Sequence, residues 1–148
     1  MTASDAPRST TSTRLAYLLK HAQRSMSELH AEALEPLGIH ERDLGVMLAI
    51  DRFAPSSQQQ IAERMGVDRT TMVAIIDALE AKAIVERRPD RDDRRRNVIA
   101  LTTTGRDILR EATVASDAAE AELLAPLSTP EREQFRDLLA RVLAHRRA

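Results

Sequence analysis

The segment from Glu86 to Thr102 constrains the fold of this chain more than any other stretch. It places six arginines and four acidic residues between two short apolar runs, 83–85 and 98–101. The alternation after Asn97 and the polar, proline-containing centre predict two antiparallel strands joined by a long charged loop. Such a loop can simply be solvated. Arginines at its tip also suit contact with phosphate or a narrow groove, because a guanidinium is always charged and donates several hydrogen bonds.

Two helices with a tight turn are predicted directly before this hairpin. Ser57 and Gln60 have the spacing of a capping box at the start of the first helix. Gly66 suits a left-handed stop of that helix, and Asp68 is a ready N-cap for a second helix over about 69–82. The apolar residues of the second helix recur at helical spacing and are predicted to face the core: Met72, Ile75, Ile76 and Leu79.

The opposite face of the second helix suits contact with DNA. Near its N-terminus it carries Arg69, Thr70, Thr71 and Ala74, which are short or hydrogen-bonding side chains able to approach base edges. A helix-turn-helix followed at once by a basic hairpin is typical of a winged helix. In that arrangement one motif enters the major groove and the other lies at the flanking minor groove.

With these motifs the chain resembles the MarR family of bacterial transcriptional regulators. The resemblance extends from Arg14 to about Leu143 and is most specific in the wing. The resembling residues are Ser57 through Gly66, Val67 through Thr71, Leu79-Glu80, Asp90, Asp93-Arg94-Arg95, Leu101-Thr102 and Gly105. The resemblance implies a mainly α fold with a small β-hairpin, in which N- and C-terminal dimerisation helices flank a winged helix-turn-helix core. It also implies a homodimer that binds double-stranded DNA as a transcriptional regulator, a repressor in our interpretation.

The expected DNA-binding residues follow from the motifs and the resemblance together. They are Ser57, Gln58, Arg69, Thr70, Thr71, Ala74, Arg88, Arg91, Asp93, Arg94 and Arg95. Arg95 has the spacing of the family's minor-groove arginine, and Asp93 is expected to hold its guanidinium by paired hydrogen bonds. Ala83 stands where the family usually has glycine. Because that position tends to need a positive φ, Ala83 predicts a modified exit from the second helix.

Length and composition predict one domain. Residues 1–13 are expected to form a flexible leader, and 14–148 a single domain. Within it, 14–37 and 104–148 are the predicted dimerisation helices, and 38–103 the winged-helix lobe. The absence of cysteine excludes disulfides, thiolate metal sites and the thiol sensing of the peroxide-responsive MarR branch. No apolar run has the length of a membrane span and no signal peptide is recognisable, so we expect a cytoplasmic protein. No cofactor is expected.

The net charge of −1 hides a marked asymmetry. Seven basic residues meet four acidic ones between 82 and 96, a local charge of +3, whereas 111–148 carries −2. Positive charge is therefore concentrated at the predicted wing, where it would orient the molecule on DNA. Three scattered aromatic residues are too few for a base-stacking platform, which argues against single-stranded nucleic acid.

Long amphipathic helices are predicted on both sides of the winged helix. They cover 14 to about 34, 104 to about 124, and a last helix with Thr129 as N-cap and Pro130 in first position. A shorter helix follows Ile39, with Leu44, Met47, Leu48 and Ile50 inward. The first and last helices are more apolar than a lone winged helix needs. An enlarged monomer core would explain this, and intertwined helices of two protomers, which the resemblance implies, explain it as well.

In MarR-like dimers, small ligands such as aromatic acids bind between the dimer helices and the DNA-binding lobe. The matching stretches here contain the candidate effector residues Tyr17, His21, Arg24, Met47 and Arg52. Each of them can equally be an ordinary core, surface or ion-pairing residue. The zinc-sensing branch needs histidines on the helix after the wing, and 104–124 has none, so no metal site is expected.

No enzymatic motif is recognised, and no catalytic residue is assigned. The chain has no cysteine nucleophile, no phosphate-binding glycine loop among its four glycines and no histidine pair at helical spacing. The alternative to a ligand-responsive regulator is a constitutive winged-helix module that binds DNA or protein without ligand response. Arg94 and Arg95 at the wing favour DNA.

Overall fold

The computed structural model describes residues 13–147, which form six α-helices and one hairpin. The helices are α1 (Leu15–Leu34), α2 (Glu41–Phe53), α3 (Gln58–Met65), α4 (Arg69–Ala81), α5 (Thr103–Leu123) and α6 (Thr129–Arg147), and the strands are β1 (Val85–Pro89) and β2 (Asn97–Leu101). A short 3-10 turn, Glu35–Leu37, links α1 to α2. The mainly helical fold with a winged helix is the one the sequence predicts. None of the helices described is both long and apolar enough to cross a membrane.

The chain divides into two compact units within these elements. Among the described residues, one unit contains 13–29 and 117–147, and the other contains His30–Ser116. The divisions fall inside α1 and α5, not at their ends. The reason is that Leu34 at the end of α1, and Leu109 and Ala112 in the first half of α5, belong to the core of the second unit.

The caps of α3 and α4 confirm the local predictions. At Ser57, Oγ accepts from the Gln60 amide (3.3 Å), while the Ser57 amide donates to Gln60 Oε1 (2.9 Å). Gly66 is left-handed with φ +63°. Asp68 caps α4 by accepting from the Thr71 amide at 2.9 Å. These bonds satisfy amides that a helix start otherwise leaves unpaired, which fixes both ends of the turn between the two helices.

Ala83 adopts the left-handed conformation that the family glycine would take, with φ +57°. Its amide donates to Glu80 O (2.9 Å), and the Ile84 amide reaches back to Leu79 O (3.0 Å). This bond pair is the Schellman arrangement of a helix C-terminus. The exit from α4 therefore has the usual Schellman geometry, and the modified exit expected from Ala83 is wrong. Alanine adopts this left-handed conformation at a steric cost.

The hairpin is antiparallel, with Val85 opposite Leu101 and Pro89 opposite Asn97. A third segment joins it, because the Ile99 amide donates to Ser56 O at 2.9 Å. Behind the hairpin, Thr102 Oγ1 donates to Ala83 O (2.6 Å) and accepts from the Gly105 amide (2.9 Å). Residue 105 must be glycine, since a Cβ there would lie 2.0 Å from Ile84 O. The turn into α5 is thus tied to the start of β1.

The core of the His30–Ser116 unit contains the predicted inward face of α4. Met72, Ile75, Ile76 and Leu79 are all buried there. Leu44, Met47 and Ile50 of α2 are buried as predicted. The prediction that Leu48 faces inward is wrong, because its side chain is 45% exposed. Val46 and Leu48 are separated by 200° around the helix, and it is Val46 that faces inward.

The other unit contains α6, most of α1 and the end of α5. A cavity of about 210 Å³ in it is lined by Met26, Leu123, Leu124, Phe135 and Leu139, and by the ion pair of Arg136 with Glu120 (2.6 Å). The start of α6 differs from the prediction by one residue. Ser128, not Thr129, precedes the helix, and its amide donates to Glu131 Oε2 at 2.8 Å.

Candidate nucleic-acid interface

The N-terminal half of α4 presents the predicted reading face. Arg69, Thr70 and Ala74 are exposed, and neither Arg69 nor Thr70 has a side-chain hydrogen bond within the described part of the chain. Thr71 differs, because it is half-buried and its Oγ1 donates to Asp68 Oδ2 at 2.6 Å. The Thr71 hydroxyl is therefore engaged as a donor in the helix cap, and only its lone pairs are left to accept hydrogen bonds from a base.

The cap residues also influence the charge at the start of α4. The side-chain hydrogen bond from Thr71 to Asp68, followed by that of its amide, holds the pKa of the Asp68 carboxyl below its ordinary value. Asp68 is therefore ionised at neutral pH beside the positive end of the helix dipole. Its negative charge offsets part of the attraction that this helix end would offer a phosphate.

An open groove of about 700 Å³ lies between the start of α3, the turn before α4 and the base of the wing. Ser57, Gln58 and Arg69 line it on the helix side, and Arg96 and Asn97 on the hairpin side. Ser57 Oγ accepts a hydrogen bond in the α3 cap, and its own proton is left to donate. Arg96 and Asn97 were not predicted from the sequence, because their nearness to α3 depends on the register of the hairpin.

The wing tip, residues 90–96, is shaped by main-chain hydrogen bonds. The Asp90 amide donates to Arg96 O (2.8 Å), and the Arg96 amide to Asp93 O (2.9 Å). Two carboxylates close small turns, since Asp90 Oδ1 accepts from the Asp92 amide and Asp93 Oδ1 from the Arg95 amide, both at 3.0 Å. Asp93 thus holds the backbone of Arg95, in contrast to the expected bond with its guanidinium.

The arginines of the hairpin fall into two groups. Arg91, Arg94 and Arg95 are exposed, and no carboxylate of residues 13–147 forms an ion pair with them. Arg88, on β1, pairs with its strand neighbour Glu86. The acids interleaved in the tip therefore shape the loop and leave the guanidinium groups of Arg91, Arg94 and Arg95 available.

Arg87, like Arg96, is an arginine of the hairpin to which no role was assigned from the sequence. From β1 its guanidinium reaches Asp77 Oδ1 of α4 at 2.5 Å, Glu80 of the same helix, and Gln58 Oε1 of α3 at 3.4 Å. The hydrogen bond with Asp77 raises the pKa of Arg87 above its ordinary value. The i,i+3 spacing of two acids on the outer face of α4 is the sequence signal that could have indicated this arginine's partners.

The candidate effector residues are distributed over both units. In the first, the Tyr17 and His21 rings lie 4.0 Å apart between centroids, and Arg24 pairs with Glu28 at 2.9 Å. In the second, Met47 is fully buried in the core, and Arg52 lies 5.3 Å from the centre of the Phe53 ring. Met47 therefore packs as a core residue, and Arg24 has an ordinary ion-pair partner.

A further polar cluster, which the sequence analysis missed, lies within the His30–Ser116 unit. The buried His30 is 3.1 Å from Glu41 Oε1 through Nδ1 and 3.0 Å from Ser116 Oγ through Nε2. It joins the last part of α1 to α2 and α5. No three potential metal-ligating His, Asp or Glu residues are grouped together anywhere in the described range.

Comparison with known proteins agrees with this geometry. A sequence model described as MarR family matches residues 37–96. Among solved structures, the transcriptional repressor CouR bound to a 23-mer DNA duplex is 28% identical, with 95% of this chain and 99% of that chain covered and a TM-score of 0.83. CouR from Rhodococcus jostii RHA1 bound to p-coumaroyl-CoA is also 28% identical (90% and 94% covered, TM-score 0.77). A mutant MarR from E. coli complexed with operator DNA is 27% identical (87% and 93% covered, TM-score 0.77).

These matches cover the same helix-turn-helix and wing in which the DNA-facing side chains were found. The structural relatives are matched over nearly their whole length, so the flanking helices are shared as well. In its helix-turn-helix and wing the chain matches the MarR family, and over most of its length it shares the fold of solved transcriptional regulators that are bound to DNA.

Proposed function

We propose that this protein is a homodimeric repressor that binds a palindromic operator in double-stranded DNA through its His30–Ser116 unit. The observation that carries the proposal is the set of uncommitted cations at the wing tip, Arg91, Arg94 and Arg95, in the same unit as the exposed start of α4. The tip supplies charge for phosphates and the minor groove, and Arg69 and Thr70 supply donors and acceptors for base edges. A repressor among the relatives is bound to a DNA duplex, which supports the assignment.

The dimer is proposed from the surface of the other unit. Large apolar side chains on α1 and α6 are exposed in the single chain, from Tyr17 at 37% to Leu15 at 70%. The full set on these two helices is Leu15, Tyr17, Leu18, Leu19, Phe135, Leu138, Val142 and Leu143. An enlarged monomer core would bury these residues, whereas a second copy of the chain would cover them. A two-fold protein then matches a two-fold operator, with half-sites about one helical turn apart.

DNA binding is tested by selecting genomic fragments with the purified protein and measuring the affinity of the selected duplex by fluorescence anisotropy. Each phosphate neutralised by an arginine should contribute about −0.9 to the slope of log affinity against log salt. Because each substitution removes two arginines from a dimer, Arg94→Ala and Arg95→Ala should each make the slope shallower by about twice that amount if they contact phosphates. Arg110→Ala, which removes an exposed arginine paired with Asp107 on α5, is the control and should leave the slope unchanged.

Equal affinity for every duplex of the same length, or an affinity that does not change with salt concentration, would refute the proposal of a DNA-binding regulator. The dimer has its own test. If folding and association are coupled, the Tm should rise with protein concentration. A folded monomer in sedimentation at micromolar concentration would contradict it.

Release by an aromatic acid is the part of the proposal that concerns regulation. One relative is bound to p-coumaroyl-CoA, which contains such an acyl group. Arg52, exposed beside the Phe53 ring, offers a cation next to an aromatic surface. The core position of Met47 and the ion pair of Arg24 favour the alternative, a constitutive DNA-binding protein in which these residues have only structural partners.

The two alternatives differ in thermodynamic linkage. A ligand that releases DNA must itself bind more weakly to the DNA complex, by the same factor. Aromatic carboxylates should then raise the Tm of the free protein and lower its operator affinity, and Arg52→Ala should reduce both effects. If a broad panel of aromatic acids changes neither quantity, the constitutive alternative is the correct one.

A further inference from the structure

The side chain of Arg87 connects three elements of the winged helix. It lies on β1, and its two terminal nitrogens hydrogen-bond to Asp77 and Glu80, which are one turn apart on α4. Nη2 also approaches Gln58 of α3 at 3.4 Å. The side chain is 28% exposed, compared with 57% for its strand neighbour Arg88, which pairs only with Glu86. The Arg87 side chain therefore lies against α4, whereas the Arg88 side chain is mostly exposed to solvent.

The chemistry of this contact requires arginine. A guanidinium is planar and presents its two terminal nitrogens in a fixed fork, so each nitrogen can bind a different carboxylate while the plane sets the angle between strand and helix. A lysine ammonium is a single point of charge on a flexible stem and cannot fix that angle. The connection from β1 to α4 is thus directional as well as electrostatic.

The contact also changes the charge on α4. Asp77 and Glu80 lie on the helix whose first turn carries the reading face, and their side chains are 58% and 40% exposed. Without Arg87, two carboxylates would repel DNA phosphates from the same element. Because both acids are well solvated, water screens the pairs, and their contribution to folding stability is small. The consequence of the contact is expected in DNA affinity more than in stability.

We propose that Arg87 is a positioning residue for DNA binding, which fixes the wing at its working angle to α4 through Asp77 and Glu80 without touching DNA itself. The inference rests on the proposed DNA-binding function. It separates Arg87 from the arginines of the tip: the tip arginines meet DNA, and Arg87 holds the strand from which they act. The wing keeps its own strand pairing, so the loss of Arg87 loosens its angle and leaves the fold intact.

The angle can be measured without DNA. The chain has no cysteine, so spin labels can be placed selectively at Ala78→Cys on α4 and Asp92→Cys at the wing tip. The labelled protein is mixed with excess unlabelled protein, so that each measured distance lies within one protomer. Arg87→Ala should broaden the distance distribution, and Arg87→Lys should not restore it. Arg110→Ala, which breaks the exposed pair with Asp107 in the same unit, should leave it unchanged. An equally narrow distribution in Arg87→Ala would overturn the proposal.

Affinity for the selected operator duplex then separates positioning from charge. Arg87→Ala should bind at least tenfold more weakly, whereas Arg110→Ala should change affinity less than twofold. Adding Asp77→Asn and Glu80→Gln to Arg87→Ala removes the exposed carboxylates but does not rebuild the connection, so affinity should stay low. Full recovery in that triple variant, or in Arg87→Lys, would mean that charge alone matters and would overturn the proposal. If the parent protein binds no duplex specifically, the proposed function fails, while the label distances still decide the role of Arg87.

Discussion

Replacing Ala83 by glycine should stabilise this protein, although most substitutions at a helix end do the opposite. Ala83 has φ +57°, and its amide and that of Ile84 already make the two bonds of a Schellman turn. The left-handed conformation costs an L-residue about 1–2 kcal/mol. Glycine adopts it freely, but loses about 0.5–1 kcal/mol through the greater freedom of its unfolded chain. The net gain in the free energy of unfolding should be about 0.5–1 kcal/mol.

A gain of that size should raise the Tm by roughly 1–4 °C for a chain of this length. Thermal unfolding followed by circular dichroism, at one fixed protein concentration, measures it. Ala78→Gly is the matched control, since Ala78 is an exposed alanine in the interior of α4. That change should cost about 1 kcal/mol, because glycine is a poor helix former. If both variants are destabilised equally, the strain at Ala83 is not real and the reasoning fails.

Substitutions at three further positions test other contacts of the His30–Ser116 unit. Gly105→Ala places a Cβ 2.0 Å from Ile84 O, so the free energy of unfolding should fall by about 3 kcal/mol, measurable by urea titration. The carboxylate of Asp68, whose pKa is lowered by Thr71, stabilises α4 above the unfolded pKa of about 4, and this contribution is lost as pH falls through the folded pKa. The Tm difference between the parent and Asp68→Asn should therefore be constant above that pH and shrink below it; a constant difference at all pH values would contradict the cap. Asp93→Asn keeps an oxygen for the Arg95 amide and removes a charge, so it should bind DNA more tightly at fixed salt, whereas Asp93→Ala loses the turn and should bind more weakly.

The elements predicted correctly are those specified by neighbouring residues. The capping box at Ser57, the left-handed stop at Gly66 and the cap at Asp68 each involve groups within a few residues. Their hydrogen bonds depend on local spacing, which is visible in a sequence. The hairpin was found for the same reason, because two alternating segments enclose a polar loop.

The features that were missed depend on distances across the fold. The partners of Arg87 lie on other elements, and the Ile99 amide bonds to Ser56 O although α3 and α4 separate the two residues in the sequence. Leu48 was predicted inward because apolar residues follow one another along α2, and Val46 takes the inward place. The expected bond of Asp93 with the Arg95 guanidinium was wrong in a local way. A carboxylate two residues before an amide closes a small turn with the backbone, and this competes with any side-chain partner.

The wing combines a tip held by backbone hydrogen bonds with arginines that have no ion-pair partner within residues 13–147. Its shape comes from main-chain bonds, such as that between the Asp90 amide and Arg96 O, and from carboxylates that accept backbone amides. Had the same acids paired with the tip guanidinium groups, those pairs would have to break before DNA could bind, and part of the gain from counterion release would be lost. A loop already fixed by its backbone loses little further freedom on binding. Arg87 forms ion pairs with α4, whereas Arg94 and Arg95 have no ion-pair partner within residues 13–147. This arrangement favours both a defined wing angle and a strong response to phosphate.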